Sequence, residues 1–115
     1  MKKIILLFTL AISIALFSFQ IITTSLKLTV INNLGKEEEG VRVRLFKTEA
    51  DYKAEKNAID EHYTDKKGVV HFKGLEPIPY YINAVKDKKN NYGNGELTDS
   101  LKDKQVNKIK VVIQD

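Results

Sequence analysis

Apolar residues alternate with polar ones in short stretches along this chain, the period of a strand that buries one face. Leu26, Leu28 and Val30 interleave with Lys27, Thr29 and Ile31, and Asn32-Asn33-Leu34-Gly35 closes the stretch with turn residues. After the acidic run Glu37-Glu38-Glu39 and Gly40, which reads as a solvated loop, Val41, Val43 and Leu45 interleave with Arg42, Arg44 and Phe46. The alternation stops between Thr48 and Ala58. There Thr48-Glu49-Ala50-Asp51 has the form of a capping box with Asp in place of Glu, predicting a short helix inserted at the edge of the fold. Strand patterns resume at Asp60 to Thr64, Val69 to Phe72, Tyr80 to Val85, and at Ile109, Val111 and Ile113. Two prolines make Leu75 to Pro79 a bend. Asp87 to Asp103 is a polar, Gly/Asn-rich connection with room for one short strand near Leu97. Six or seven short strands with one helical turn near 48–58 predict an all-β, immunoglobulin-like sandwich.

The sharpest local signal is Asp65-Lys66-Lys67-Gly68. Asp is favoured at the first position of a type I turn and Gly at the fourth, so the segment predicts a hairpin from the third strand into the fourth. Its register decides where the two histidines point. A three-residue loop with Gly68 at positive φ sets Tyr63 opposite His71 and turns His62 to the other face, whereas a two- or four-residue loop sets His62 opposite His71, half of a zinc site. The glycine at the end of the turn favours the former. Continuing through Phe72, Leu75, Pro77 and Tyr80, the segment resembles the D-x-x-G-x-x-x-F-x-x-L-x-P-x-x-Y signature of carboxypeptidase-regulatory-like domains. These are prealbumin-like (transthyretin-like) β-sandwiches related to collagen-adhesin B-type repeats. The resemblance implies that Asp65, Gly68, Phe72, Leu75 and Tyr80 are structural, and that the domain is a non-catalytic accessory. Adhesin relatives often carry a Lys–Asn isopeptide bond assisted by a buried acid. Here Lys27 and Asn107 are the candidates, but Ala84 stands where the acid is expected and Asn107 precedes the last strand, so no such bond is expected.

Lys2 and Lys3 precede an apolar run from Ile4 to Phe19, the layout of a secretion signal. Ser18 and Ser25 are small enough for processing, giving a leader over 1–25 and a domain over 26–115. With Ile21 and Ile22 counted, the run is long enough to remain as an uncleaved anchor. In both cases the lysines stay inside and the domain is exported to the periplasm, cell surface or medium, touching membrane only through that segment. There is no cysteine, so a lipid-bearing N-terminal Cys and disulfides are ruled out and packing alone stabilises the domain.

The formal charge of +4 is too small to identify a partner. Arg42 and Arg44 alternate outward, as do Lys108 and Lys110, and would form one basic patch if their strands share a sheet. Without interleaved stacking aromatics they do not indicate nucleic acid. Phe46, Tyr81 and Tyr92 are candidate outward rings for stacking on a sugar. Asp87, Asn90, Asn91, Asn94 and Glu96 supply oxygens suited to calcium, but their spacing is not that of an EF-hand and Lys86, Lys88 and Lys89 crowd them. No G-x-S-x-G or activated nucleophile is evident, so neither an enzyme nor a cofactor is expected. The expected role is an envelope domain presenting loops or a sheet edge to a protein or glycan. A carbohydrate-binding module, calcium-stabilised or not, is the alternative, and a hydrolase ranks last.

Overall fold

The computed structural model describes residues 23–115. The expected leader lies outside these residues up to position 22. The described chain forms β1 (Thr24–Asn32), β2 (Arg42–Phe46), α1 (Glu49–Ala54), β3 (Asp60–Tyr63), β4 (Val69–Leu75), β5 (Tyr81–Lys86), β6 (Lys89–Asn90) and β7 (Val106–Ile113). One sheet has the order β4-β1-β7 and the other β3-β2-β5-β6. β1 pairs antiparallel with β4 and parallel with β7, so the first and last strands run side by side.

The period-2 sets meet between the sheets. Leu26, Leu28, Val30, Val70, Phe72, Val111 and Ile113 from one layer pack with Val41, Val43, Leu45, Ile82 and Ala84 from the other, joined by Tyr80 and Leu101. Burying a large side chain of this kind contributes about 1.5–3 kcal/mol, which is what holds a cysteine-free domain together. Tyr80 is fully buried, and its hydroxyl accepts a hydrogen bond from Glu76 N at 2.9 Å. This bond fastens the proline-containing bend to the core.

The predicted turn is present but the predicted hairpin is not. Gly68 N donates to Asp65 O at 2.9 Å, Gly68 has φ of 74°, and Asp65 Oδ1 accepts from Lys67 N and Val69 N. These amide bonds hold the Asp65 carboxyl below its usual range. The strands on either side then part: β3 pairs with β2 and β4 pairs with β1, in different sheets. The segment is a corner between layers. Thr64 Oγ1 accepts from Val41 N and donates to Glu38 O on one side, while Gly68 O accepts from Val30 N on the other. A turn of this geometry serves either connection, and the partners that decide between them lie far away in sequence.

Three further expectations change. The helix is capped by Thr48, whose hydroxyl accepts from Asp51 N, but it covers the outer face of the four-stranded sheet instead of its edge. The acidic loop is not wholly solvated, because Glu38 is paired with Lys86 at 2.9 Å and Lys89 at 3.2 Å. β1 begins at Thr24, two residues before the alternation that starts at Leu26. Thr24 is buried, donates to Asp103 and accepts from Lys104 N.

Candidate binding surfaces

Phe46 illustrates how a position on an outer face becomes buried. It follows the inward residues Val43 and Leu45 out of phase, yet it is fully buried because Tyr52 of α1 lies over it, edge to face at 6.0 Å between centroids. Tyr52 also stacks on Tyr81 at 5.5 Å and donates its hydroxyl to Glu96 at 2.6 Å. Burial, and then the bond to Glu96, push the Tyr52 phenol above its ordinary value, so it remains a protonated donor. Arg44 lies 5.6 Å from the Phe46 centroid and donates to Glu55 at 2.6 Å and Asn83 at 2.9 Å. Arg42 stands between Tyr63 and Val85 on the neighbouring strands.

Of the expected aromatic contacts, therefore, Phe46 is enclosed and Tyr81 is covered on one side by Tyr52. Tyr92 remains 64 % exposed. The residues that assemble this cluster from elsewhere, Tyr52, Glu55, Asn83 and Glu96, were not singled out by alternation. The sequence signal for Tyr52 was its place in the capped helix, the one apolar-faced ring within it. Among the described residues, the Nε atoms of Arg42 and Arg44 are the buried side-chain polar atoms without a partner.

The condition for one joint basic patch, that the two strands share a sheet, is not met. Arg42 and Arg44 belong to β2, whereas Lys108 and Lys110 belong to β7 in the opposite sheet. The histidines are separated in the same way. His62 pairs with Val43 at one edge, 5.1 Å from the Phe72 ring, and contacts Asp60 at 3.2 Å; His71 pairs with Lys27 in the other layer. Neither register considered from sequence is present, because His71 stands opposite Lys27 and not opposite a residue of β3.

Four of the five Asp, Asn and Glu side chains of the 87–96 loop are engaged within the domain. Asn91 is buried, accepting from Ala84 N and donating to Ile82 O; Asn90 accepts from Tyr92 N; Asn94 donates to Tyr92 O; Glu96 is taken by Tyr52. Among the described residues no group of three His, Cys, Asp or Glu is placed to hold a metal ion, and no helix is long and apolar enough to cross a membrane. Lys27 pairs with Lys108, and Asn107 donates to Ser25 O and Lys102 O while accepting from Lys102 N. Asn107 thus holds the turn before β7, and apolar side chains fill the space between the layers.

No family model matches the sequence, and no curated protein matches it. Among solved structures, the chain is similar to a streptococcal ancillary pilin, with 24 % identity and a TM-score of 0.60 over 84 % of this chain and 33 % of that one. It is also similar to the Bacillus anthracis TIE protein, with 14 % identity and a TM-score of 0.50 over 78 % of this chain and 16 % of that one. The chain spans about a third of the first and a sixth of the second. What these likenesses show is the fold, a pilin-like β-sandwich.

Proposed function

We propose that this chain is an exported, non-catalytic domain of the cell envelope that presents its sheet faces and loops to a protein or glycan. The observation that carries the reading is the sandwich itself, similar over 84 % of the chain to part of an ancillary pilin. The Lys2-Lys3 and Ile4 to Phe19 layout supports export. The Asp65 to Tyr80 motif supports a finer assignment to carboxypeptidase-regulatory-like, prealbumin-like domains, since each motif residue has a structural job: Asp65 and Gly68 form the corner, Phe72 and Tyr80 are buried, and Leu75 packs against the core. The side chains that suggest chemistry are occupied structurally, as Glu96 is by Tyr52 and Asn91 by β5. Fractionation of cells producing the full chain tests the proposal. The domain is expected in the exported fraction; recovery in the cytoplasm with an intact N-terminus contradicts it.

A further inference from the structure

One sheet carries formal charge of a single sign. β1, β4 and β7 together contain Lys27, Lys73, Lys108 and Lys110 and no acidic residue, in a chain that otherwise mixes 19 Lys and Arg with 15 Asp and Glu. Leu26, Leu28, Val70, Phe72 and Val111 point inward, so alternation turns these four lysines and His71 to the outer face. Register makes the concentration sharper. Lys27 stands directly between Lys108 and His71, and Thr29 beside Lys110. Adjacent strands lie about 4.8 Å apart and alternate residues about 6.7 Å apart, so the cationic side chains recur at short intervals in both directions.

Elsewhere on the described surface many charges are neutralised: Lys47 by Glu76, Lys53 by Glu49, Lys86 and Lys89 by Glu38, and Arg44 by Glu55. The four lysines of this sheet have no such partner among the described residues. Like charges placed directly opposite on neighbouring strands destabilise a sheet, and here that cost stands uncompensated. An anion laid across the face would remove it.

Building on the binding reading above, we propose that the outer face of the β4-β1-β7 sheet docks a linear phosphodiester polymer. The face is shallow, with a cleft of about 230 Å³ between Lys27, Thr29, Lys108, Ile109 and Lys110, and its lysines do not converge on one point. It therefore suits an extended chain with repeating charge better than a single small anion. Lysine ammoniums act as compact point charges that pair with phosphate without demanding a fixed geometry. The outward positions of β1, β4 and β7 carry no Phe, Tyr or Trp, whereas single-stranded nucleic acid is held by stacking rings and membrane interfaces by Trp and Tyr anchors.

The test uses the full chain in detergent and synthetic poly(glycerol phosphate) as the probe, with binding measured across a salt series. Two variants of equal charge loss are compared: Lys27→Gln/Lys108→Gln/Lys110→Gln on the face, and Lys36→Gln/Lys56→Gln/Lys88→Gln elsewhere. Binding by the native chain is expected to weaken steeply with salt, with a log–log slope near −3 if four lysines each contribute about −0.7. The face variant is expected to lose about tenfold or more at low salt and to flatten that slope, while the second variant stays within about twofold. Thermal melts keep the comparison sound, because removing Lys27 from between Lys108 and His71 should leave the melting temperature unchanged or higher. Equal losses in both variants, absence of binding, or preference for phosphatidylglycerol vesicles or single-stranded DNA over the polymer would each overturn the proposal. Cell fractionation, which tests export, is independent of all these outcomes.

Discussion

Gly68 and Gly93 both sit at positive φ, 74° and 76°, but only Gly68 is also crowded. A Cβ at Gly68 would lie 2.7 Å from Val30 O and 3.1 Å from Glu38 N, both backbone atoms, whereas nothing lies within 4 Å of one at Gly93. Gly93→Ala is therefore expected to cost about 1 kcal/mol, from backbone conformation alone. Gly68→Ala should cost at least about 2 kcal/mol in urea melts, because the corner must also shift. Phe72 offers a different check, since it is fully buried and Phe72→Ala should cost about 3–5 kcal/mol. His62→Ala and His71→Ala should each be mild, additive and insensitive to chelator, because the two histidines lie in different sheets with no shared ligand. Strong coupling between them, abolished by a chelator, would contradict that separation.

Glu38 couples elements that are far apart in sequence. It ties the loop between β1 and β2 to the β5–β6 hairpin through Lys86 and Lys89 and accepts from Asn32 as well. The bond from Lys86, with smaller contributions from Asn32 and Lys89, lowers its carboxyl from 4.5 to about 2. A carboxylate held below its unfolded value stabilises the fold above that value, so this contribution is complete above about pH 4.5 and is lost as pH falls toward 2. The side chain is only 12 % exposed, but its lysines are 33 % and 40 % exposed, so solvent screening reduces an upper bound of about 3 kcal/mol to about 1–2 kcal/mol. Urea melts from pH 7 to pH 2.5 should show that loss in the native chain and a shallower decline in Glu38→Gln. Parallel declines would contradict the coupling. The acidic run gave no hint of this role, because the lysines that pair with Glu38 are 48 and 51 residues away.

Across the whole molecule, what was legible in the sequence is what local periodicity encodes. Leu26, Leu28, Val30, Val41, Val43 and Leu45 are all fully buried, as their spacing predicts, and Thr48 caps the helix. Alternation also puts Phe46 on the outer side, but its burial depends on Tyr52 arriving with α1. The Asp65 to Gly68 turn was legible as a turn and misread as a hairpin, because the choice between pairing β3 with β4 and sending them to separate sheets rests on β2 and β1. The same non-local pairing sends Arg42 and Arg44 to one sheet and Lys108 and Lys110 to the other, and brings Lys27 beside Lys108.

The most direct measurement of the account's central claim, an exported sandwich outside the membrane, takes advantage of the absence of native cysteine. Lys88→Cys places a thiol in the exposed turn between β5 and β6, and Val43→Cys places one in the fully buried core. A maleimide that cannot cross the inner membrane is applied to intact cells, after outer-membrane permeabilisation where such a membrane exists. Rapid labelling of Lys88→Cys, with Val43→Cys protected until denaturant is added, is the predicted result. Labelling of Lys88→Cys only after the inner membrane is lysed, or equal labelling at both positions on intact cells, would contradict the account.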